Sequence, residues 1–205
     1  MQKTAILPRD FYARDTLIVA RELLGARLVH VENGKRISGI IIETEAYCGE
    51  SDLGCHAKAG CTKRTEVMYG PPGFAYIYFT YGNHWLFNAV TRPEGHPEAV
   101  LVRALLPAEG IEHISKRRAP QPQARWTDGP GKLTQALGIN GDYNRVDLTT
   151  AEGKLFIENA YMIPEHFVTT GSRIGLFTVP EPWKSKPWRF IASLPINWLE
   201  KEGEQ

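Results

Sequence analysis

The chain has 205 residues and a formal net charge of +1, and hydrophobic residues make up 42% of it. This composition is typical of an ordinary globular domain, and no apolar run reaches the length of a membrane span. Because residues 1–14 also lack a continuous apolar stretch, we expect neither a membrane protein nor a secreted one. The three cysteines, an odd number, do not form the framework of a disulfide-rich extracellular domain. We predict one domain, residues 1–205, in a reducing cytoplasm.

The first part of the chain predicts a helix followed by a β-hairpin. Apolar residues recur at helical spacing over residues 15–24, with Asp15 placed to cap the helix and Gly25 placed to stop it. Residues 27–31 alternate as a strand, Asn33-Gly34 is a strong two-residue hairpin signal, and residues 37–45 predict the returning strand.

The remaining elements are predicted in the same way. Residues 48–72 lack periodicity and indicate a long loop, after which residues 75–79 and 85–90 predict a second hairpin. Further elements follow as a strand at 99–105, a helix at 108–116, a helix from 128 to 137 that Gly138 stops, and short strands across 147–199. Together they predict a mixed α/β (α+β) domain with a largely antiparallel sheet, flanking helices and a protruding hairpin.

Glu45 is the candidate catalytic carboxylate. It ends the predicted strand 37–45, in which the β-branched run Ile40-Ile41-Ile42 indicates burial on both faces. A carboxylate that leaves such a strand loses solvent, which raises its pKa and makes it a better general base near neutral pH. The alternative is an ordinary surface glutamate at a strand end.

Aromatic residues crowd the second hairpin. Period-two alternation places Tyr76 and Tyr78 on one face and Ile77 and Phe79 on the other. If the latter pair meets the core, the two tyrosines line an accessible surface, and Tyr81 projects from the turn, where insertion between stacked bases would explain it. Ordinary strand aromatics are the alternative. With Glu45, the pattern favours an enzyme that stacks a planar cationic ring and delivers water to it.

Two other groupings are less specific. The cysteine and histidine spacing of Cys48, Cys55, His56 and Cys61 lacks the Cys-x2-Cys pair of structural zinc sites. Residues 129–132, Gly-Pro-Gly-Lys, resemble the end of a phosphate loop but lack its Ser or Thr. A helix that opens there could still hold one backbone phosphate.

Basic side chains collect in residues 58–64, 116–125 and 183–189. This asymmetry could give a nearly neutral protein one basic face, although a net charge of +1 by itself argues against a nucleic-acid partner. Solvated loops are the alternative interpretation of each cluster.

Five segments in order resemble the alkyladenine (3-methyladenine) DNA glycosylase family. They are residues 42–47 (IETEAY), 70–73 (GPPG), 76–82 (YIYFTYG), 101–105 (LVRAL) and 129–137 (GPGKLTQAL). The resemblance covers the chain from its first helix to residues 186–190 and is to a bacterial-type member. It implies a single DNA glycosylase domain around a curved antiparallel sheet, with no metal or other cofactor.

The resemblance also implies roles for individual residues. Glu45 would activate the attacking water, and Arg103 would help to hold that water and the backbone at the lesion. Tyr81 would fill the gap left in the duplex. The pocket around the flipped base would consist of Tyr47, His56, Tyr78 and Asn88, with Asn88 excluding the exocyclic amino group of guanine. Candidates for phosphate contacts are Arg64, Gly131 and Lys132.

We therefore predict a monofunctional base-excision repair enzyme that leaves an abasic site. Its partner would be damaged double-stranded DNA and not a membrane, and we expect a monomer in the bacterial cytoplasm, associated with the nucleoid. Two alternatives stay open: a catalytically inactive lesion- or nucleic-acid-binding module on the same fold, and a hydrolase of free nucleosides.

Overall fold

An antiparallel sheet forms the centre of the protein. The computed structural model describes residues 5–80, 82–195 and 198. Within these ranges the strands are β1 (Arg27–Glu32), β2 (Lys35–Cys48), β3 (Ala75–Thr80), β4 (His84–Thr91), β5 (Glu98–Glu109), β6 (Leu155–Glu158), β7 (Val168–Gly171) and β8 (Arg189–Ala192). Their order is β3-β4-β5-β2-β1-β6, while β8 pairs with both β2 and β7. The predicted mixed α/β fold with a largely antiparallel sheet is confirmed.

Four α-helices flank this sheet in the described ranges: α1 (Arg9–Tyr12), α2 (Thr16–Glu22), α3 (Ile111–Arg118) and α4 (Pro130–Leu137). The helix start predicted at Asp15 is confirmed, because its carboxylate accepts the backbone N–H of Leu17 at 2.9 Å and caps α2. Gly138 ends α4 with φ 76°, as predicted. Among the described residues, no helix has both the length and the apolar character needed to cross a membrane.

Fully buried side chains from the sheet and from helices α2 and α4 form the core. Ile41, Phe87 and Val102 of the sheet belong to the same cluster as Val19 of α2 and Leu133 of α4, each with 0% exposure. This packing anchors β2, β4 and β5 rigidly beside one another, and the candidate site is built on their face.

Two predicted boundaries are wrong for the same reason. The helix predicted at 108–116 begins only at Ile111, because β5 continues to Glu109, which pairs with Ser38 of β2. Likewise β2 runs on to Cys48 instead of ending at Glu45. Inter-strand hydrogen bonds here override local signals, so Glu45 lies inside a long strand and not where a strand leaves the core.

Strand β2 changes neighbours along one of its edges. Residues 35–40 pair with β1, and Glu43, Thr44 and Glu45 pair with β8, while β5 follows the opposite edge. The register against β5 shifts between Ile41 and Glu43 and again between Glu43 and Thr44. Such irregularities bend and twist a strand and re-aim its side chains. Glu45 therefore lies directly after a local distortion of β2.

The hairpin of β3 and β4 extends beyond the neighbouring strand, since β4 pairs with β5 from Asn88 to Thr91. Tyr81, the residue after β3 in the sequence, lies outside the described residues, so the intercalation role predicted for it stays a prediction. The predicted faces of the hairpin are partly wrong. Ile77 is buried as expected, but Phe79 is 47% exposed and Tyr76 is only 2% exposed, because Phe79 lies on the protruding end and Tyr76 is covered by the loop that precedes the hairpin.

His30 of β1 gives the fold a pH dependence that can be measured. Its Nδ1 lies 2.7 Å from the carbonyl oxygen of Leu137 and its Nε2 lies 2.6 Å from the hydroxyl of Tyr143, and burial lowers its pKa below 6.5. Below that pH the unfolded chain binds a proton that folded His30 does not. Stability contributed by neutral His30 is therefore present above about pH 6.5 and falls as the pH drops toward the folded pKa, by up to about 1.4 kcal/mol per pH unit. We expect urea unfolding at about pH 7 and pH 5 to show this loss in the wild type, and a smaller loss in His30→Gln. Equal losses in the two proteins would contradict it.

Candidate active site

A cavity of about 280 Å³ lies against the face formed by β2, β3, β4 and β5. Aromatic and sulfur-containing side chains make up much of its lining: Tyr47, Cys55, His56, Met68, Tyr76 and Tyr78. Two loop segments, residues 54–56 and 174–176, close it from the other side. The volume is near the lower limit for small-molecule sites and suits one ring system.

Glu45 lies behind this cavity and is completely closed off from solvent, with 0% exposure. Its Oε2 accepts the hydroxyl of Tyr47 at 2.9 Å, and its Oε1 accepts the backbone N–H of Ile174 at 2.6 Å. Burial raises the pKa of Glu45, against the opposing effects of Arg103 and of these two hydrogen bonds. The raised pKa agrees with the direction predicted from the sequence. Its cause is the full burial of Glu45 inside β2, and not the position at a strand end that the sequence predicted.

Arg103 of β5 joins Glu45 to a second carboxylate. Its Nε lies 3.4 Å from Oε1 of Glu45 and 3.2 Å from Oε1 of Glu43. The guanidinium of Arg189 on β8 also donates to Glu43, at 3.0 Å. The positive charges of Arg103 and Arg189 thus balance the negative charges of Glu43 and Glu45. Arg103 also lines the cavity.

His56, Tyr76 and Tyr78 form one aromatic wall of the cavity. The His56 and Tyr78 rings meet edge to face with centroids 4.7 Å apart, and the Tyr76 and Tyr78 rings are tilted at 5.2 Å. Nδ1 of His56 lies 2.9 Å from the hydroxyl of Tyr76. Sequence reasoning paired Tyr76 with Tyr78 as accessible rings, but the structure makes Tyr76 the buried support of the other two.

Burial, together with the charges of Arg64 and Lys58, lowers the pKa of His56 to about 4. Arg64 also stacks on Tyr78, with its guanidinium carbon 4.8 Å from the ring centroid, and its N–H lies 3.4 Å from Nε2 of His56. Nε2 thus accepts a hydrogen bond from Arg64, and Nδ1 carries the ring proton and donates to the hydroxyl of Tyr76. The imidazole is neutral at physiological pH.

Asn88 of β4 is the cross-strand partner of Tyr76, lines the cavity and is 3% exposed. Its side-chain amide donates to the carbonyl of Tyr76 at 3.0 Å, which fixes the orientation of the group. The predicted pocket residues Tyr47, His56, Tyr78 and Asn88 therefore line one cavity, with Arg103 beside them.

The candidates for phosphate contacts are less uniform. Arg64 is exposed at the cavity edge, whereas Lys132 pairs with Asp128 at 2.7 Å. Gly131 is buried, and a Cβ there would lie 2.7 Å from the ring of His84. The structure thus explains this glycine by the close packing of α4 on β4.

The residues considered as a metal site do not form one. In the part of the chain that the structure describes, no group of three or more His, Cys, Asp or Glu side chains is arranged to hold a metal ion. Cys55 instead lines the cavity, and burial raises the pKa of its thiol to about 11, while Cys61 is exposed.

Comparison with known proteins decides the family. A sequence profile described as methylpurine-DNA glycosylase (MPG) matches residues 10–194. The chain belongs to the methylpurine-DNA glycosylase family. This confirms the resemblance that the five motifs indicate, and membership makes the protein a DNA N-glycosylase.

Three bacterial relatives extend the comparison, and each has a name that assigns it to the 3-methyladenine DNA glycosylases. The chain is 49% identical to the Myxococcus xanthus protein over 89% of this chain and 88% of the relative. It is 48% identical to the Carboxydothermus hydrogenoformans protein over 90% and 94% of the two chains. For the Bacillus cereus protein the identity is 44%, over 89% and 93%.

Sequence reasoning about this glycosylase missed two buried residues of the site, Asp52 and Arg173, whose side chains pair at 0% exposure. It also missed Ile174, whose backbone N–H reaches Glu45. No motif spacing links Asp52 to Arg173.

The neutral state of His56 can be tested by removing the positive charge of Arg64, which lies beside its ring. In Arg64→Gln we expect the pKa of His56 to rise from about 4, yet to stay below 6.5, because burial, the larger cause, remains. Titration of the imidazole by NMR checks this. Lys63→Gln is the matched control, because Lys63 is also an exposed cation and is one residue earlier, and it should leave the pKa of His56 unchanged. An unchanged titration in Arg64→Gln would contradict the placement of Arg64 over the pocket.

Proposed function

We propose that this glycosylase removes cationic methylated purines of the 3-methyladenine type from double-stranded DNA by hydrolysis and leaves an abasic site. The observation that carries the proposal is the fully buried Glu45, hydrogen-bonded through both oxygens, behind a cavity with aromatic walls. A buried carboxylate beside a ring-sized cavity suits the delivery of one water to a bound base.

Binding of the damaged base would rest on stacking and cation–π contacts. A purine methylated at a ring nitrogen carries positive charge, and the faces of Tyr47 and Tyr78 can each contribute about 0.5–2 kcal/mol to holding it. The cavity of about 280 Å³ admits a base only after it leaves the duplex. Flipping is least costly for a damaged pair, which gives selectivity before any direct contact.

Glu45 would act as the general base. Its raised pKa brings its basicity closer to the working pH, and its negative charge stabilises an oxocarbenium-like sugar. The water oxygen bonds to C1′ as the N-glycosidic bond breaks, the water proton passes to Glu45, and the bonding electrons neutralise the cationic base as it leaves. Arg103 would hold the carboxylate of Glu45 in its orientation and would balance the negative charge of Glu43.

Asn88 would supply discrimination against guanine. Its amide is fixed by the carbonyl of Tyr76, so it cannot rotate freely to accommodate an extra amino group on the base. Rejection of a substituent is strongest where the site groups are held in place. Selectivity would thus combine easy flipping, cation–π attraction and this fixed wall.

Contacts with the rest of the DNA would come from the edge of the cavity. Arg64 is exposed there beside Lys58 and Lys63, and Lys132 follows the start of α4. Other basic side chains are already paired within the protein, such as Arg117 with Glu32 at 2.6 Å. We propose that residues 58–64 provide the phosphate contacts nearest the lesion. We also propose that the protein works as a monomer.

The test is release of free base from methylated duplex DNA, measured by chromatography with EDTA present. We expect the wild type to release 3-methyladenine and to leave the strand intact until alkali is added. In Glu45→Gln we expect binding of lesion DNA to survive while base release falls by roughly two to four orders of magnitude, since the general base is lost.

Glu43→Gln is the matched control, because Glu43 is two residues away on the same strand and contacts the same Arg103. It should retain far more activity than Glu45→Gln. Retained turnover in Glu45→Gln would refute the role of Glu45. A wild type that binds lesion DNA tightly without releasing base would make the protein a recognition module.

Tyr81 is the residue after β3 in the sequence, and we propose that it fills the gap left by the flipped base. We expect Tyr81→Ala to reduce base release from duplex DNA by about tenfold or more, but to change release from single strands much less, because only a duplex has a gap to fill. Parallel single-turnover assays on the two substrates check this. Equal losses on both would remove the wedge role.

A further inference from the structure

We propose that Arg173 and Asp52 form a buried clamp that holds the two hydrogen-bond donors of Glu45 in place, so that Arg173 is a positioning residue for the catalytic carboxylate. The inference rests on the proposed function for the role of Glu45. The geometry of the clamp itself does not depend on that function.

The clamp is a closed ion pair. Both side chains have 0% exposure, and the Arg173 guanidinium donates to both carboxylate oxygens of Asp52, at 2.5 and 2.8 Å. Asp52 also accepts the backbone N–H groups of Cys48 at 3.1 Å and Gly54 at 2.9 Å. A buried ion pair adds little net stability over an apolar pair of similar size. What it adds here is a fixed geometry between residues 121 positions apart.

Arg173 acts on the first donor through the ring of Tyr47. Its guanidinium carbon lies 4.7 Å from the centroid of Tyr47 and 5.0 Å from that of Trp188, so it contacts both rings. It also donates to the carbonyl of Ala46, in the residue that precedes Tyr47, at 3.0 Å. These contacts fix the ring whose hydroxyl donates to Oε2 of Glu45.

Arg173 acts on the second donor through the chain. The residue after it is Ile174, whose backbone N–H donates to Oε1 of Glu45 at 2.6 Å. The side chain of Ile174 is 46% exposed, so burial of that side chain does not hold this peptide in place. The anchor that keeps the N–H directed at Glu45 is the preceding side chain, in its ion pair with Asp52.

Gly54 packs directly against the clamp. A Cβ on Gly54 would lie 2.8 Å from a terminal nitrogen of Arg173 and 2.8 Å from Leu176. Only the absence of a side chain lets the two loop segments of the cavity approach this closely. The clamp therefore also sets the distance between residues 54–56 and 174–176, which close one side of the cavity.

Charged and titratable groups face Glu45 from each neighbouring element: Glu43 and Tyr47 from β2, Arg103 from β5, and Arg189 from β8 through Glu43. The Ile174 and Tyr47 hydrogen bonds lower the pKa of Glu45 against the larger effect of burial. Releasing the clamp would weaken both bonds while leaving these charges in place. The pKa of Glu45 should then rise.

The experiment compares the double variant Asp52→Asn/Arg173→Met with the wild type. Removing both charges avoids an unpaired buried charge. The first readout is the titration of the Glu45 carboxyl by carbon-13 NMR, assigned by its loss in Glu45→Gln. The second is the pH profile of base release from a cationic methylated purine, whose leaving group needs no proton. We expect the pKa of Glu45 and the acid limb of the profile to move up together by about one pH unit, as for loss of one hydrogen bond to a charged group.

Glu32→Gln/Arg117→Met is the control, because it removes an ion pair between β1 and α3, and it should leave the titration of Glu45 unchanged. An unchanged Glu45 titration in a folded clamp variant would overturn the proposal. If that variant does not fold, Gly54→Ala displaces Arg173 while both charges of the clamp are retained. It should raise the pKa of Glu45 as well. An unchanged pKa of Glu45 in Gly54→Ala would also overturn the proposal. A wild type that releases no base would refute the proposed function, and the NMR titration would still decide the clamp.

Discussion

A carboxylate that is closed off from water must find its hydrogen-bond partners inside the protein, and this requirement organises the structure around Glu45. One oxygen is bonded by the hydroxyl of Tyr47, and the other lies near both the N–H of Ile174 and the side chain of Arg103. Burial of an unpartnered charge would be strongly unfavourable. Three stretches of chain therefore converge on one side chain, and each of them contributes a residue to the lining of the cavity: Tyr47, Arg103 and Ile174.

Strand β2 makes this convergence possible because it has different neighbours at its two ends. Its side chains repeat on one face every second residue, so Glu43, Glu45 and Tyr47 form a row. Arg103 reaches the first two of them from β5, at 3.2 and 3.4 Å. On the other edge, β8 replaces β1 at this point, and the segment between β7 and β8 brings in the backbone that completes the site.

Local features of this fold were predictable from the sequence because their causes are local. The cap at Asp15 and the turn at Asn33-Gly34, with φ values of 50° and 76°, depend on neighbouring residues alone. Alternation also separated Tyr76 from Ile77, but it could not tell which face a distant loop would cover. The pairing of Asp52 with Arg173 has no local signal at all, since it joins residues 121 positions apart. The family motifs located Glu45 and the pocket residues Tyr47, Tyr78 and Arg103, whereas Asp52, Arg173 and Ile174 were found only in the structure.

The long sequence separation between Glu45 and the backbone that completes its hydrogen bonding, 129 positions, has a consequence for synthesis. A chain that leaves the ribosome from its N-terminus presents both hairpins long before residues 173–192 exist. During that interval Glu45 lacks one of its donors, and one wall of the cavity is missing. The surroundings of Glu45 are therefore complete only after residues 173–192 have been made and β8 has paired with β2. A partly synthesised chain holds the carboxylate of Glu45 without the donor that Ile174 supplies.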